Sequence, residues 1–306
     1  MKQTNSLFRF AVVVALAVGL LLPQELWTCG GLCSPSAGQV GFSADAKVKK
    51  RRDARRGRVS QFFAPVSQSS PVAASLRVGL PPGAECQTLN YSALTVYWSN
   101  RHRVPLCVAY ELTAAEVELC DGPFAEKRKN YDFTADEHAL RCPEKNDIQL
   151  KNCGYSRGHM APAMDMRWSS RAMAESFMMT NVCPQDEKLN NGAWQSLERS
   201  VHQLAKREGR LVVLTGPVLD GRKQIAGGIA VPAAFFKILY SPRSGKAIAW
   251  VYANCPPSGS RDSHATTVAE VERLTGLRFF AGLSASLQSS LKRQCEPKFW
   301  VVSKRD

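Results

Sequence analysis

The most informative segment of this sequence is residues 180–198, TNVCPQDEKLNNGAWQSLE. Apolar residues recur here and just beyond at three-to-four spacing, which predicts a helix over Asp186–Arg207. Asn190, Trp194 and Glu198 fall at i, i+4 and i+8, so we expect them along one side of that helix. Asn and Glu supply the oxygen ligands that suit a hard ion such as Mg²⁺. The pattern predicts a metal-binding helix, with Trp194 packed in the core.

Upstream of this segment, residues 155–163 read YSRGHMAPA. Arg157 and His159 are two apart, so on an extended strand they share one face. A histidine that accepts a proton from water, beside an arginine that offsets phosphate charge, is what phosphodiester cleavage requires. An Arg-x-His pair alone is weak support for that chemistry, and the helix above strengthens it.

The rest of the chain alternates strand-like and helical segments. Thr267–Gly276 has apolar residues at helical spacing, and Gly276 suits the end of a helix. Strands in blocks with interspersed helices favour an α+β fold over a parallel doubly wound sheet. The predicted strands, rich in β-branched and aromatic residues, are Leu94–Trp98, Pro105–Leu112, Leu211–Leu214, Phe235–Tyr240 and Ala247–Tyr252.

These motifs resemble the DNA/RNA non-specific endonuclease family, the ββα-metal group that includes endonuclease G and secreted bacterial nucleases. The family's D-R-G-H appears as Ser156–His159, and its N-x-x-P-Q-x-x-x-x-N-x-x-x-W-x-x-x-E run is intact over Asn181–Glu198. The resemblance extends over residues 79–283 and implies a mainly antiparallel central sheet flanked by helices. Further matching stretches begin at Arg103, Thr215, Val231 and Glu272.

Carried over by position, the resemblance assigns roles to individual residues. His159 is the implied general base and Asn190 the implied direct metal ligand. Asn181 supports the site, Glu198 holds metal-bound water, and Arg157 lies near substrate phosphate. In the implied mechanism His159 deprotonates a water that attacks phosphorus in line, and Mg²⁺ stabilises the transition state and the leaving 3′-oxygen. Mn²⁺ is the expected substitute for Mg²⁺.

Two positions depart from the family pattern. Ser156 replaces the usual aspartate, as in some exonuclease-like members, so we expect activity with an altered substrate preference. Some members carry a substrate-binding arginine four residues after the motif glutamate, where this chain has His202. We interpret His202 as a satisfied surface histidine without a catalytic role. The same interpretation applies to His102, His138 and His264.

The charge of the chain favours polyanionic partners. Lys and Arg number 40 against 26 Asp and Glu, a formal charge of +14. The composition, 44% hydrophobic and 22% charged, excludes collagen-like, wholly disordered and multi-span membrane proteins. We therefore expect DNA and RNA as partners, contacted through the phosphate backbone and with little base selectivity.

The N-terminus has the pattern of a targeting segment. An apolar run at residues 10–22, FAVVVALAVGLLL, follows Lys2 and Arg9 and ends at Pro23, as in a secretory signal. The predicted location is secreted or periplasmic, with a membrane anchor or a mitochondrial leader as open alternatives. The predicted organisation is a signal or anchor at 1–38, a basic, Pro/Ser-rich disordered linker at 39–78, a nuclease domain at 79–295 and a tail at 296–306.

Cysteine usage fits export. Eight cysteines follow the targeting segment, an even number that suggests disulfides, whereas free buried thiols are expected in a reducing compartment. The spacing of the cysteines and histidines does not favour structural zinc.

The sequence as a whole predicts a sugar-non-specific, Mg²⁺-dependent endonuclease, by family resemblance often a homodimer. A 5′-exonuclease of the same fold and a catalytically weak nucleic-acid-binding protein are the alternatives.

Overall fold

The computed structural model describes residues 74–302. Its strands are β1 (Cys86–Asn90), β2 (Leu94–Ser99), β3 (Val104–Thr113), β4 (Ser156–His159), β5 (Val182–Gln185), β6 (Arg210–Val218), β7 (Gln224–Ile225), β8 (Ile229–Ala230), β9 (Ala234–Ser241), β10 (Lys246–Ala253) and β11 (Ala265–Thr266). Its α-helices are α1 (Ala114–Asp121), α2 (Leu150–Cys153), α3 (Ser170–Ser176), α4 (Glu187–Leu189), α5 (Gln195–Glu208), α6 (Val268–Thr275) and α7 (Ala285–Lys292).

A seven-stranded sheet in the order β1-β2-β3-β6-β9-β10-β11 forms the centre of the fold. Neighbouring strands in it are antiparallel throughout. All five strands predicted from the sequence are present as β2, β3, β6, β9 and β10, each extended by one to a few residues. The α+β class with a mainly antiparallel sheet is confirmed.

Helices cover both faces of this sheet, and strand β9 shows why. The Phe235 ring contacts Trp194 at 5.7 Å between centroids, on the face covered by α5. The next residue, Phe236, points to the opposite face and contacts Phe279, which follows α6, at 5.4 Å. Successive side chains of a strand alternate between its faces, so a strand that is buried along its whole length requires cover on both. Lys237 consequently lies on the α5 face, beside Trp194.

The predicted helix over Asp186–Arg207 is present, with one irregular turn. Asp186 caps its start by accepting a hydrogen bond from the Leu189 backbone N–H at 3.0 Å. Between α4 and α5 lies a π-helical turn, Asn190–Trp194, in which Gly192 has non-helical torsions of φ −112° and ψ −107°. A regular α-helix was expected here, and the spacing pattern could not reveal the wider turn. Such π turns are frequent at functional sites.

Helix α6 confirms the second predicted helix at both ends. The Thr267 side chain caps its start by accepting from the Glu270 backbone N–H at 3.1 Å. Gly276 ends it with φ +72°, a conformation that favours glycine.

The folded part extends beyond the predicted boundaries of the domain. Leu76 and Val78, assigned to the disordered linker, are buried, and Gly79 pairs with Arg278. Trp300, assigned to the tail, is buried within the 3₁₀ turn Pro297–Trp300. Short apolar segments next to polar ones gain enough by burial to join the core.

The signal or anchor prediction and most of the linker lie outside the described residues. Among residues 74–302, no helix combines the length and apolar character needed to cross a bilayer.

Seven cysteines of the described region carry free thiols, so the expected disulfide framework does not connect them. Three of them are fully buried in the core, where desolvation raises the pKa of each thiol. They pack there as small apolar side chains. The seven are Cys86, Cys107, Cys120, Cys142, Cys153, Cys183 and Cys295.

Candidate active site

Strands β4 and β5 pair antiparallel and lead directly into α4 and the π turn, forming a ββα unit. Ser156 lies opposite Gln185, and His159 opposite Val182. The Gln185 side chain packs across Gly158 so closely that a Cβ there would lie 2.2 Å from Gln185 Oε1. Only glycine allows this approach, which brings the two strands and the helix start together.

Arg157 and His159 share one face of β4, as predicted, and both contact Phe133. The Arg157 Cζ lies 4.6 Å from the Phe133 ring centroid, and the His159 centroid lies 4.9 Å from it. Arg157 Nη1 also donates to the carbonyl oxygens of Lys145 at 2.8 Å and Ile148 at 3.4 Å. Its guanidinium is therefore held in place, with a positive charge directed along the strand face.

His159 has the properties of a base held neutral. Its ring contacts Phe177 edge-on at 5.2 Å, in addition to Phe133. Burial lowers the pKa of His159, and the charges of Arg128 and Arg157 lower it further, to about 3. Its Nε2 is buried and has no hydrogen-bond partner among the described residues. A neutral imidazole with an unengaged ring nitrogen can accept a proton.

Asn190, the first residue of the π turn, is oriented by Ser156. The Asn190 Nδ2 donates to Ser156 Oγ at 3.1 Å, and that hydroxyl donates to the Gln185 carbonyl at 3.0 Å. Because the amide nitrogen is engaged, Oδ1 is the atom that Asn190 can offer to a cation. The serine that departs from the family pattern thus fixes the side chain predicted to bind metal.

Asn181 is fully buried, and its contacts are all with the protein backbone. Its Oδ1 accepts from the Ala161 N–H at 2.9 Å, and its Nδ2 donates to the carbonyls of Ala161 and Ser176 at 2.9 and 2.8 Å. Its own carbonyl accepts from the Met160 N–H. These bonds fix the chain directly after His159, which fits the supporting role expected for Asn181.

Glu198 extends from α5 on the same side as the π-turn Trp194 and is buried. Its Oε1 has no hydrogen-bond partner among the described residues and lies 3.9 Å from Lys237 Nζ. Burial raises the pKa of Glu198, and the positive charge of Lys237 opposes that effect. The carboxylate therefore has an oxygen available to a further polar group.

Two basic residues beside these groups were not predicted as site residues. Arg128 lies with its Cζ 5.3 Å from the Phe177 ring centroid, and its charge acts on His159. Lys237 is fully buried and faces Glu198. A lysine in the apolar run of β9 is a signal that the sequence does contain, because buried lysines are almost never unpaired. Arg128 lies in a basic run and has no comparable signal.

His202 is not a surface histidine, contrary to the sequence interpretation. It is 2% exposed, its Nδ1 lies 2.8 Å from Asp165 Oδ1, and its Nε2 lies 3.3 Å from Asp121 Oδ1. Asp165 also accepts from the Tyr110 hydroxyl at 2.9 Å. Helix α5 packs against α1, which encloses the imidazole, and the sequence pattern does not reveal that contact. His202 cannot contact substrate phosphate from this position.

The donor chemistry of the site suits a hydrated hard cation. Within residues 74–302, no cluster of three or more His, Cys, Asp or Glu side chains could enclose a metal ion. The site offers instead the Asn190 amide oxygen and the unpartnered Glu198 oxygen, with the unpartnered Gln185 amide close to Ser156 and Gly158. Mg²⁺ commonly keeps several waters and binds through one or two protein oxygens, so these residues fit it.

Comparison with known proteins agrees with this arrangement. Residues 72–286 match the family model described as DNA/RNA non-specific endonuclease. The chain belongs to this family. DNA/RNA non-specific endonucleases are metal-dependent hydrolases that bind nucleic acid, so the chain is an enzyme of that class.

Relatives within the DNA/RNA non-specific endonucleases include mitochondrial nucleases. The chain is 30% identical over 235 residues to "Nuclease EXOG, mitochondrial" of Danio rerio, covering 70% of this chain and 66% of the relative. It is 28% identical over 290 residues to "Endonuclease G, mitochondrial" of Bos taurus, covering 83% and 94%.

A solved structure of an endonuclease G in complex with the inhibitor EndoGI is similar with a TM-score of 0.61 and 27% identity. The likeness covers 72% of this chain and 95% of that one. The predicted ββα-metal nuclease fold is thereby confirmed.

Proposed function

We propose that this chain is a sugar-non-specific, Mg²⁺-dependent endonuclease that hydrolyses phosphodiester bonds of DNA and RNA. The observation that carries the proposal is the joint geometry of His159 and Asn190. One ββα unit holds a histidine that its surroundings keep neutral and an asparagine with its oxygen left available by Ser156. A base for water in the same structural unit as an oxygen ligand for a hard cation is the combination that phosphodiester hydrolysis requires.

In the proposed mechanism the neutral imidazole of His159 accepts the proton of the attacking water. The lowered pKa keeps the imidazole neutral before substrate binds, and a bound phosphate then favours the imidazolium that proton transfer creates. Arg157 and Arg128 supply positive charge on this face, and Asn181 holds the backbone after His159. Asn190, with Glu198, would hold Mg²⁺, which supplies charge stabilisation to the transition state.

Phosphate-directed binding supports action on both DNA and RNA. The charged groups of the site are directed to anions, and phosphate contacts carry no sequence information. Binding to an oligonucleotide in EDTA should therefore weaken steeply as salt rises. An affinity independent of salt would contradict a phosphate-dominated interface.

The test of the proposed function is incubation of the purified full chain with closed-circular plasmid, in Mg²⁺ and in EDTA, beside Asn190→Ala. Nicking that requires Mg²⁺ and is lost in the variant supports the endonuclease and the metal ligand. Shortening of linear DNA from its 5′ ends without nicking would contradict the endonuclease and support the 5′-exonuclease. A folded chain that binds DNA and RNA but cleaves neither would support the catalytically weak nucleic-acid-binding protein.

The free thiols and the relatives together support a mitochondrial location over the predicted secretion. Exported proteins keep disulfides, whereas seven of the eight cysteines in the described residues are free thiols, and the two relatives described above are named mitochondrial. Alkylation of the natively extracted protein, read by mass, measures the thiol state, and a fluorescent fusion of the full chain reports location. A fully oxidised, secreted product would reverse this part of the proposal. The homodimer stays a prediction, which sedimentation of the purified chain would measure.

A further inference from the structure

Strand β9 carries a lysine among buried apolar residues. All eight residues of β9 are buried, and Lys237 at its centre is 0% exposed. Its neighbours Phe235, Phe236, Ile238 and Leu239 are apolar and fully buried. Burying an ammonium group is costly unless it is paired, so a lysine at this position indicates a partner that requires its charge.

The contacts of the Lys237 ammonium group lie in three parts of the candidate site. Its Nζ is 3.9 Å from Glu198 Oε1 on α5, and it donates to the Met160 carbonyl at 3.3 Å. It also lies 4.8 Å from the centroid of the Trp194 ring, at the end of the π turn. Met160 directly follows His159, so one side chain joins the strand of the general base to the helix of Glu198.

The buried charges around Lys237 explain why the pairing is specific. Asp165, also fully buried, is engaged by the Tyr110 hydroxyl and His202. Glu198 Oε1 has no hydrogen-bond partner among the described residues, and the Lys237 ammonium lies 3.9 Å from it. Without the lysine, the buried Oε1 of Glu198 would lose the positive charge that lies 3.9 Å from it.

We propose that Lys237 is a positioning residue that fixes the Glu198 carboxylate toward the bound cation. It touches no reacting atom in this arrangement, and it acts through Glu198 and through the Met160 carbonyl. The proposal rests on the proposed function, since it assigns Glu198 to the metal side of that reaction. Outer partners of metal-site residues commonly change metal affinity by about 10- to 100-fold when removed.

The test measures binding of Mn²⁺ alone to the full chain, by the electron paramagnetic resonance of the free ion, without nucleic acid. Lys237→Met, of similar length but uncharged, should weaken Mn²⁺ binding by about tenfold. Glu198→Gln should do the same, and the double variant should bind no more weakly than Glu198→Gln alone, because both changes disrupt one interaction. Lys246→Met is the matched control, since Lys246 pairs with Glu296 outside the site at 2.7 Å.

Wild-type Mn²⁺ affinity in Lys237→Met with a lowered melting temperature would show a purely structural lysine and overturn the proposal. A double variant tenfold weaker than Glu198→Gln would also overturn it, and this comparison still applies if Lys237→Met alone fails to fold. A wild-type chain that binds no Mn²⁺ would also overturn the proposal. Plasmid cleavage by the wild type is scored separately: Mn²⁺ binding that follows the expected pattern in an inert enzyme would contradict the proposed function alone.

Discussion

Two histidines in different regions of the molecule have opposite electrostatic surroundings. His159, on β4, lies between two phenylalanine rings and near two arginines, and its pKa is lowered to about 3. His202, on α5, lies between Asp165 and Asp121. Burial lowers its pKa, but the hydrogen bonds and charges of those aspartates outweigh burial and raise it. Neighbouring groups therefore favour the neutral form of one imidazole and the charged form of the other.

The two regions differ in the same way in their hydrogen bonds. Around His159 several buried polar atoms have no partner among the described residues, as in His159, Gln185 and Glu198. Around His202 the polar atoms of Asp165 and the imidazole are all engaged. Buried polar groups are normally satisfied, so the gathering of unsatisfied groups around His159 fits a site for a bound species, and the satisfied cluster around His202 fits a structural role. Activity should thus depend on the first region and folding on the second.

The largest expected effect is on catalysis. His159→Asn should lower the rate of plasmid nicking by at least about a hundredfold, because the asparagine amide cannot act as a general base. Oligonucleotide binding in EDTA should change little. The matched control is His138→Asn, since His138 is exposed and outside the site. Nicking at the wild-type rate in His159→Asn would mean that another group accepts the proton.

His202→Gln should act on stability rather than on activity. The folded-state pKa of His202 is raised above 6.5, so its stabilisation is complete below that pH and is lost as pH rises through the folded value. Urea unfolding should therefore show a loss of about 1–3 kcal/mol at pH 5.5 and a smaller loss at pH 9.

Asp121→Asn is the matched control for His202→Gln, because Asp121 is the half-exposed partner of the imidazole. Asp121→Asn should lower the free energy of unfolding by less than His202→Gln does. A loss from His202→Gln that grows with pH would show that the imidazole is neutral in the folded protein.

Ser156→Ala should have a smaller effect, confined to the site. Loss of the hydroxyl frees the Asn190 amide to rotate, so the Mg²⁺ concentration for half-maximal nicking should rise by about tenfold. Unfolding free energy should change by no more than about 2 kcal/mol, because the two lost bonds, to Asn190 and to the Gln185 carbonyl, are both neutral hydrogen bonds. Ser200→Ala, on the surface of α5, is the control. An unchanged Mg²⁺ requirement would show that the π turn alone orients Asn190.

The smallest expected effect is on acid stability at His159. A folded pKa of about 3, below the ordinary 6.5, means that the unfolded chain binds an extra proton as pH falls from 6.5 toward 3. His159→Asn removes this penalty and should make unfolding at pH 5.7 less favourable by about 1 kcal/mol relative to the change at pH 8. His202→Gln should show the opposite sign. Equal acid sensitivity of wild type and both variants would contradict the comparison of the two histidines.

Much of this fold could be predicted because its signals are local. The five central strands and helix α6 follow from apolar runs and from caps such as Thr267 and Gly276, which act within a few residues. The π turn was not predicted, because the spacing of the apolar residues is compatible both with a regular helix and with an extra residue at Gly192. The burial of Leu76 in the predicted linker and of Trp300 in the predicted tail was not predicted either, because it depends on surfaces that are distant in the chain.

The sequence by itself determined the residue types of the site. Arg157 and His159 share a strand face because side chains repeat every second residue, and the motif from Asn181 to Glu198 identified the helix that follows. Only the tertiary structure decided their states. The neutrality of His159, the orientation of Asn190 by Ser156, and the contact of Glu198 with a lysine 39 positions later all depend on burial and on neighbours brought together by the fold. Charge and hydrogen bonding act through space, and the residues that set them here lie far apart in the chain.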